Sequence, residues 1–426
     1  MRTRVARTIA LLFAGYGSIY FCRSILPATA PLLIADLHGR GMSASDATVT
    51  IGALASIGTL AYAFGKFFLT GLADFFGGKR ILLAAMFGAV AFTAVFATSS
   101  IPAVLTLAWI GNRLFQSMGW AGLVKVSSKW LDYAAYGSAM AVLSLSFLIG
   151  DAATRAGAGA LIGAGFGWRA IFLIAAAALA LVFLVVLVFL KESRTDAGLA
   201  PPDVNPINVF GESGAQDRPT GLRALVLPLV GSPAFWIVCA LSFGTTLLRE
   251  ALATWTPTYY VTGAGFDAAH GAGLSALSPI AGAFSVLGCG WLSDRLGPIA
   301  RARITLGGLI LATITLGALG VAPKGAGWLA VVLVVAVQLF NSGPYSYLAG
   351  AMALDFGGKK GSALSSGIID GVGYVGASLA GIVIARLEVA AGWGDAFGFL
   401  AAVTAITAAC AVGLVTLEKR EFRRHG

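Results

Sequence analysis

The chain has 426 residues, 58% of them hydrophobic and only 11% charged, a balance that excludes an ordinary soluble domain and marks an integral membrane protein. Its formal net charge of +10 follows from where the basic residues fall and does not call for a nucleic-acid partner. Cys22, Cys239, Cys289 and Cys410 lie in apolar segments without C-x-x-C spacing, and His38, His270 and His425 fall at loops or tails, so no metal or cofactor site is indicated and an enzyme is not expected.

Apolar stretches of roughly twenty residues or more recur along the whole chain, each long enough to cross a bilayer as a helix. They predict twelve membrane helices at about 8–35, 47–73, 79–98, 102–126, 134–164, 167–190, 230–262, 267–292, 301–321, 327–353, 361–387 and 393–417. Residues 191–229 are the long polar interruption, with Lys191, Glu192, Arg194, Asp196, Pro201, Pro202, Asp203, Asp217 and Arg218, and read as a linker. The expected fold class is an all-α membrane protein with two pseudo-symmetric six-helix bundles, residues 1–190 and 230–426, the second ending in a short basic tail.

Most of the 29 Lys and Arg lie in the two tails (Arg2, Arg4, Arg7; Lys419, Arg420, Arg423, Arg424) and in the connections after even-numbered helices. Arg40, Arg169, Lys324 and Arg386 fall on the opposite side. The positive-inside rule therefore puts the linker and both termini in the cytoplasm. The first segment has the basic start of a signal peptide but runs past Arg23 and Pro27 without a cleavage site. With no transit peptide and an Ala- and Gly-rich composition, the expected location is a bacterial inner membrane.

In helix 1, Tyr16, Tyr20, Arg23 and Pro27 recur at i, i+4, i+7 and i+11 and share one helical face. A guanidinium within a membrane helix costs roughly 2.5 to 3.5 kcal/mol on insertion scales, so Arg23 should face a polar cavity. Tyrosine hydroxyls beside it suit an oxyanion, the alternative being that both rings pack against neighbouring helices. Helix 4 carries Arg113, and helix 5 carries Asp151 and Arg155 at the i, i+4 spacing of an intrahelical pair. That pair could be self-neutralising, or Arg155 could be an anion contact released when Asp151 is protonated; Arg113 could pair with Asp151 or act in proton coupling. Helix 7 carries Arg249, a second intramembrane guanidinium matching Arg23, next to Glu250. Sequence neighbours on a helix point about 100° apart, which argues against their pairing. Two arginines at corresponding places suggest a clamp for a phosphate or carboxylate. Most of the 56 glycines lie within the helices, where small residues permit close packing.

The halves share a short signature. Gly71-Leu-Ala-Asp74-Phe-Phe-Gly77-Gly-Lys79-Arg80 follows helix 2, and Gly290-Trp-Leu-Ser-Asp294-Arg295-Leu-Gly297, with Arg301 and Arg303 beyond it, follows helix 8. Both resemble the G-x-x-x-D-R-x-G-R-[RK] loop of the major facilitator superfamily, and Arg113-Leu-Phe-Gln116-Ser-Met-Gly119 resembles its R-x-x-Q-G-x-G. The resemblance implies that Asp74, Arg80, Asp294 and Arg295 form a conformational latch.

A narrower likeness follows from Gly15-Tyr16-x-x-x-Tyr20-x-x-Arg23, from Ala61-Tyr-Ala-Phe-Gly-Lys66, from Arg249 through Trp255-Thr-Pro257-Thr-Tyr259, from Gly343-Pro344, and from Asp370-Gly-Val-Gly-Tyr374. Together these are similar to the organophosphate:phosphate antiporters, the carriers of glycerol phosphate and hexose phosphate. The likeness implies phosphate bound near the bilayer midplane between the halves by Arg23 and Arg249, assisted by Lys66, Tyr16, Tyr20 and Tyr374. It implies exchange of a small phosphorylated metabolite or phosphonate for inorganic phosphate by alternating access, with the anion neutralising the cavity's positive charge. Monomer is the default state for this fold. Phe147 stands where the glycerol-phosphate carriers have a histidine, and Arg113 is an added cation; both leave the substrate open. Two alternatives remain: a proton-coupled symporter of an organic carboxylate, and a transporter-like organophosphate sensor. A channel is disfavoured, since nothing resembles a selectivity filter.

Overall fold

The computed structural model describes residues 2–69, 72–131, 133–200, 229–296, 300–348 and 352–425. Among them every regular element is helical, as lipid requires of a spanning chain that must satisfy its own backbone. In chain order the helices are α1 (Arg2–Ile19), α2 (Ile25–Gly39), α3 (Ala44–Phe68), α4 (Leu72–Phe76), α5 (Gly78–Thr98), α6 (Pro102–Gln116), α7 (Gly119–Trp130), α8 (Tyr133–Gly163) and α9 (Trp168–Phe189). After the linker come α10 (Pro233–Thr262), α11 (Ala268–Leu274), α12 (Leu277–Leu296), α13 (Ala300–Gly320), α14 (Trp328–Tyr347), α15 (Ala353–Ala391) and α16 (Trp393–His425).

Ten helical spans among the described residues are long and apolar enough to cross a membrane, and α6 with α7, and α8, occupy the other two expected segments. Three expected helices are not continuous, helix 8 being divided by a turn at Ser275 and Ala276 into α11 and α12. Helix 1 is α1, a 3₁₀ turn at Tyr20–Cys22, and α2. Pro27 has no N–H to offer the Arg23 carbonyl one turn back, which locates the break. Helix 4 is divided by a turn at Ser117 and Met118 into α6 and α7.

The chain forms two compact units, one of Met1–Ala44, Ile57–Pro206 and Asp267–Pro279, the other of Ser45–Ser56, Ile207–Phe266 and Ile280–Gly426. Two short segments thus depart from a simple division at the linker. In the first unit α5 packs on α6, α7 and α9, and α1 packs on α8 and α9, around buried Leu12, Leu82, Met86, Leu123, Leu143 and Leu179. Gly17 and Gly150 set the α1–α8 approach: a Cβ on Gly17 would stand 2.9 Å from the Ser146 carbonyl oxygen, and one on Gly150 would collide with the Gly17 backbone. In the second unit α10 packs on α15, and α13 on α14 and α16.

The first residues of the expected linker are part of the first unit. Gly77 adopts φ +88°, a conformation suited to glycine, and turns the chain into α5. Glu192 caps that helix, accepting from Gly78 N at 2.9 Å and Lys79 N at 2.7 Å, while Lys129 Nζ pairs with it at 2.6 Å. Lys79 Nζ donates to the Leu187 carbonyl in the last turn of α9 at 2.8 Å. Pro201, Pro202, Asp203, Asp217 and Arg218 lie outside the described residues.

Burial pushes the Glu192 carboxyl up, but the Lys129 hydrogen bond and charge and the two α5 amides outweigh it, so its pKa lies below the ordinary value. A depressed carboxylate stabilises the fold above its unfolded pKa and loses that contribution as pH falls through the folded pKa. Glu192→Gln is therefore expected to cost about 1 kcal/mol near neutral pH. The difference from wild type should shrink below about pH 4, as read by thermal unfolding in detergent at both pH values; a pH-independent difference would contradict the ionic cap.

Candidate anion-binding site

In the first unit the break after α1 holds Arg23 at the end of a 3₁₀ turn, with its N–H bonded to the Tyr20 carbonyl at 3.1 Å. The side chain is buried, with 7% of the residue exposed. Its guanidinium carbon lies 4.4 Å from the ring centre of Tyr62, on α3, and 5.1 Å from that of Tyr20. Lys66, one turn along α3, places Nζ 5.5 Å from the same Tyr62 ring, and Arg113 of α6 places its guanidinium carbon 5.2 Å from it. Three cations thus surround one buried tyrosine. Each ring contact is worth up to about 2 kcal/mol when desolvated, and the arrangement gathers three basic side chains around one ring.

The wall behind Arg23 is aromatic. Tyr16 packs against Tyr20 at 6.1 Å and against Trp120 at 5.2 Å, and Tyr20 packs on Phe147 at 5.8 Å. Phe147, expected where the glycerol-phosphate carriers have a histidine, supports Tyr20 with its ring. Arg113 donates to Thr59 Oγ1 at 3.3 Å. Its neighbours Asn112 and Gln116 are tied to each other at 2.6 Å, and Asn112 to Thr93 at 2.8 Å, which fixes α6 against α5.

Asp151 and Arg155 form their intrahelical pair, Nε to Oδ1 at 2.7 Å. Arg155 also donates to Ser275 Oγ at 3.4 Å. Asp151 is thus engaged along its own helix.

In the second unit Arg249, on α10, lies with its guanidinium carbon 4.8 Å from the Tyr345 ring centre and 6.0 Å from that of Tyr374, and donates to the Tyr374 hydroxyl at 3.4 Å. Tyr345 comes from α14 and Tyr374 from α15. Gly373 permits this, because a Cβ there would press on Ser242 and Thr246 of α10. The expectation about Glu250 fails: Arg249 Nη2 reaches Glu250 Oε2 at 3.5 Å. The Cβ directions diverge, but two long side chains close the gap, so an incoming anion competes with a carboxylate already present.

The rest of the W-x-P-T-Y run is packing. Trp255 Nε1 donates to the Ala380 and Gly381 carbonyls at 3.3 and 3.2 Å, and Tyr259 sits between Trp393 and Phe397. Of the residues expected to form a latch, the side chains of Asp74 and Asp294 lie outside the described residues, Arg80 is exposed, and Arg295 lies over the Trp291 ring at 4.1 Å. Tyr62, Tyr345 and Glu192 were not singled out from sequence. Tyr62 stands one turn before Lys66, a spacing that could have found it; Tyr345 and Glu192 gave no comparable signal.

The sequence pattern of the Major Facilitator Superfamily matches residues 12–381. A glycerol-3-phosphate transporter of Bacillus subtilis (strain 168) is 21% identical over 86% of this chain and 82% of its own length. A probable hexose phosphate transport protein of Chlamydia pneumoniae is 26% identical over 93% of this chain and 88% of its own. Among solved structures, a bacterial homologue of the human lysosomal transporter Spinster superposes with a TM-score of 0.76 at 14% identity, covering 98% of both chains, which is a likeness of fold. With its bilayer-length helices and a family match over most of its length, the chain belongs to the Major Facilitator Superfamily, a superfamily of membrane transporters.

Proposed function

We propose that this protein is a secondary transporter of a small phosphorylated metabolite, exchanged for inorganic phosphate by alternating access, with Arg23 and Arg249 as ligands of the phosphoryl oxygens. The observation that carries the reading is a pair of arginines held by tyrosine rings, buried Arg23 by Tyr20 and Tyr62 and half-buried Arg249 by Tyr345 and Tyr374. Ring faces hold each guanidinium in a fixed place, and a guanidinium binds an oxyanion through its in-plane N–H donors, at Arg249 in competition with Glu250 at 3.5 Å. Lys66 adds a mobile point charge, and Tyr16, Tyr20 and Tyr374 supply rings and hydroxyl donors. The relatives named for glycerol 3-phosphate and hexose phosphate support the same substrate class. The protein acts as a monomer in the inner membrane, both termini cytoplasmic, and Asp74, Arg80, Asp294 and Arg295 latch one conformation.

Exchange without a separate proton site follows from charge. A cavity holding several cations disfavours transit while empty, and a bound anion removes that penalty. The second reading, proton-coupled symport of an organic carboxylate, is favoured by one observation: Asp151 and Arg155 form a largely buried ion pair, an arrangement that protonation could open.

Proteoliposomes preloaded with phosphate should take up labelled phosphate, with competition by glycerol 3-phosphate or a hexose phosphate. Arg23→Ala and Arg249→Ala should each lower exchange about 100-fold or more, the scale of losing charge-assisted hydrogen bonds. A folded wild-type protein that moves no phosphate would rule the antiporter out.

Tyr62 separates ring from hydroxyl. Tyr62→Phe should stay within about threefold of wild type, and Tyr62→Leu should raise KM about tenfold, because the cation–π contacts need only the ring. Equal defects in both variants would show that the hydroxyl matters instead.

The Asp151 and Arg155 pair divides the two readings. Under exchange, the double variant Asp151→Asn with Arg155→Gln keeps phosphate exchange and remains indifferent to a pH gradient. Gradient-stimulated uptake in wild type that disappears in Asp151→Asn would establish the symporter.

A further inference from the structure

At the membrane boundary of the first unit, away from the arginines just described, α1 and the end of α9 enclose an open cleft of about 380 Å³. Its polar wall carries Arg4 and Arg7 from α1 and Lys191 from the segment after α9, with Asp196 as the acidic residue in the lining. Its other wall is apolar, made by Leu11, Val188 and Phe189. Phe189 is 50% exposed and Val188 62% exposed, as expected of side chains facing lipid at the end of a spanning helix.

The cleft is shaped by fixed contacts. Arg4 Nη1 donates to the Ala197 carbonyl at 2.9 Å, which ties the first turn of α1 to the polar segment. Arg7 lies over the Phe189 ring, its guanidinium carbon 4.9 Å from the centre, so its fork is held at the junction of the two walls. Trp130, also in the lining, donates Nε1 to the Lys191 carbonyl at 3.0 Å and fixes the backbone from which the lysine projects. Three basic side chains face one carboxylate, and the surplus positive charge sits beside an apolar surface open to the bilayer.

We propose that this cleft binds the headgroup of an anionic phospholipid, its phosphodiester on Arg4, Arg7 and Lys191 and an acyl chain along Leu11, Val188 and Phe189. A soluble phosphate would satisfy the cations but would leave the apolar wall without a partner, whereas an anionic lipid fits both walls at the depth where headgroup and chain meet. The bound lipid also bridges the start of α1 to the segment carrying Glu192, whose carboxylate caps α5.

Native mass spectrometry of the purified protein, titrated with phosphatidylglycerol or with phosphatidylcholine of the same chain length, tests this directly. Phosphatidylglycerol should bind at least about tenfold more tightly, and the preference should fall about fivefold for each basic residue removed in R4Q, R7Q and K191Q. R4K with R7K, which keeps the charge, should retain most of the preference and controls for folding. Equal binding of the two lipids by wild type, or an undiminished preference in the triple variant, overturns the proposal. Displacement of phosphatidylglycerol by inorganic phosphate as efficiently as by soluble short-chain phosphatidylglycerol overturns it too, since the acyl contact would then contribute nothing.

Discussion

The constraint on which the structure depends is the cost of a guanidinium in a helix surrounded by lipid. This chain meets it with aromatic rings as much as with carboxylates. Tyr62 faces Arg23, Lys66 and Arg113, and Tyr345 and Tyr374 face Arg249. A carboxylate partner would fix both geometry and charge, and a bound anion would have to displace it. A ring fixes geometry and leaves the charge standing. Arg249 combines the two, since Glu250 reaches it at 3.5 Å, a distance and geometry weaker than the 2.7 Å contact of Arg155 with Asp151. The two arginines thus lie against tyrosine rings, and Arg155 is held in a close ionic contact.

Holding these cations requires rigid helices at close quarters. Gly17 and Gly150 bring α1 onto α8, and Gly373 brings α15 onto α10; in lipid, where helices gain little from burying apolar surface against one another, close approach and buried polar contacts must supply cohesion. The Asn112, Gln116 and Thr93 bonds perform the polar part beside Arg113. The break at Tyr20–Cys22 is the counterpart of this rigidity. An unwound turn inside a spanning segment frees backbone groups and re-aims side chains, and such turns are tolerated where they adjoin a polar site.

The architecture was legible because hydropathy dominates it: a bilayer requires about twenty apolar residues per crossing, and a chain with 11% charged residues leaves few ways to place them. The arginines were legible for the same reason, as costly exceptions in apolar runs. What escaped was the chemistry of contact. Tyr62 is an unremarkable aromatic in a membrane helix until three cations from two other turns and helices converge on it, and Tyr345 comes to Arg249 from a helix almost a hundred residues away in sequence. Glu192 looked like the first acidic residue of a linker, yet it is bound to Gly78, Lys79 and Lys129. The Glu250 contact was misjudged because the angle between adjacent Cβ atoms says little about where two long, flexible side chains can meet.

Phe147 stands where the family resemblance leads one to expect a histidine. A histidine at that place would offer a ring nitrogen to a ligand, and phenylalanine offers none. Its ring packs on Tyr20 at 5.8 Å, and Tyr20 in turn lies 5.1 Å from Arg23. Phenylalanine thus contributes a ring to the wall behind the arginine. The positive charge near that wall comes from elsewhere, since Arg113 joins Lys66 and Arg23 around Tyr62. Fixed guanidinium groups do not lose charge in the physiological pH range, whereas an imidazole does. The charge that these guanidinium groups place around Tyr62 is therefore constant across that range.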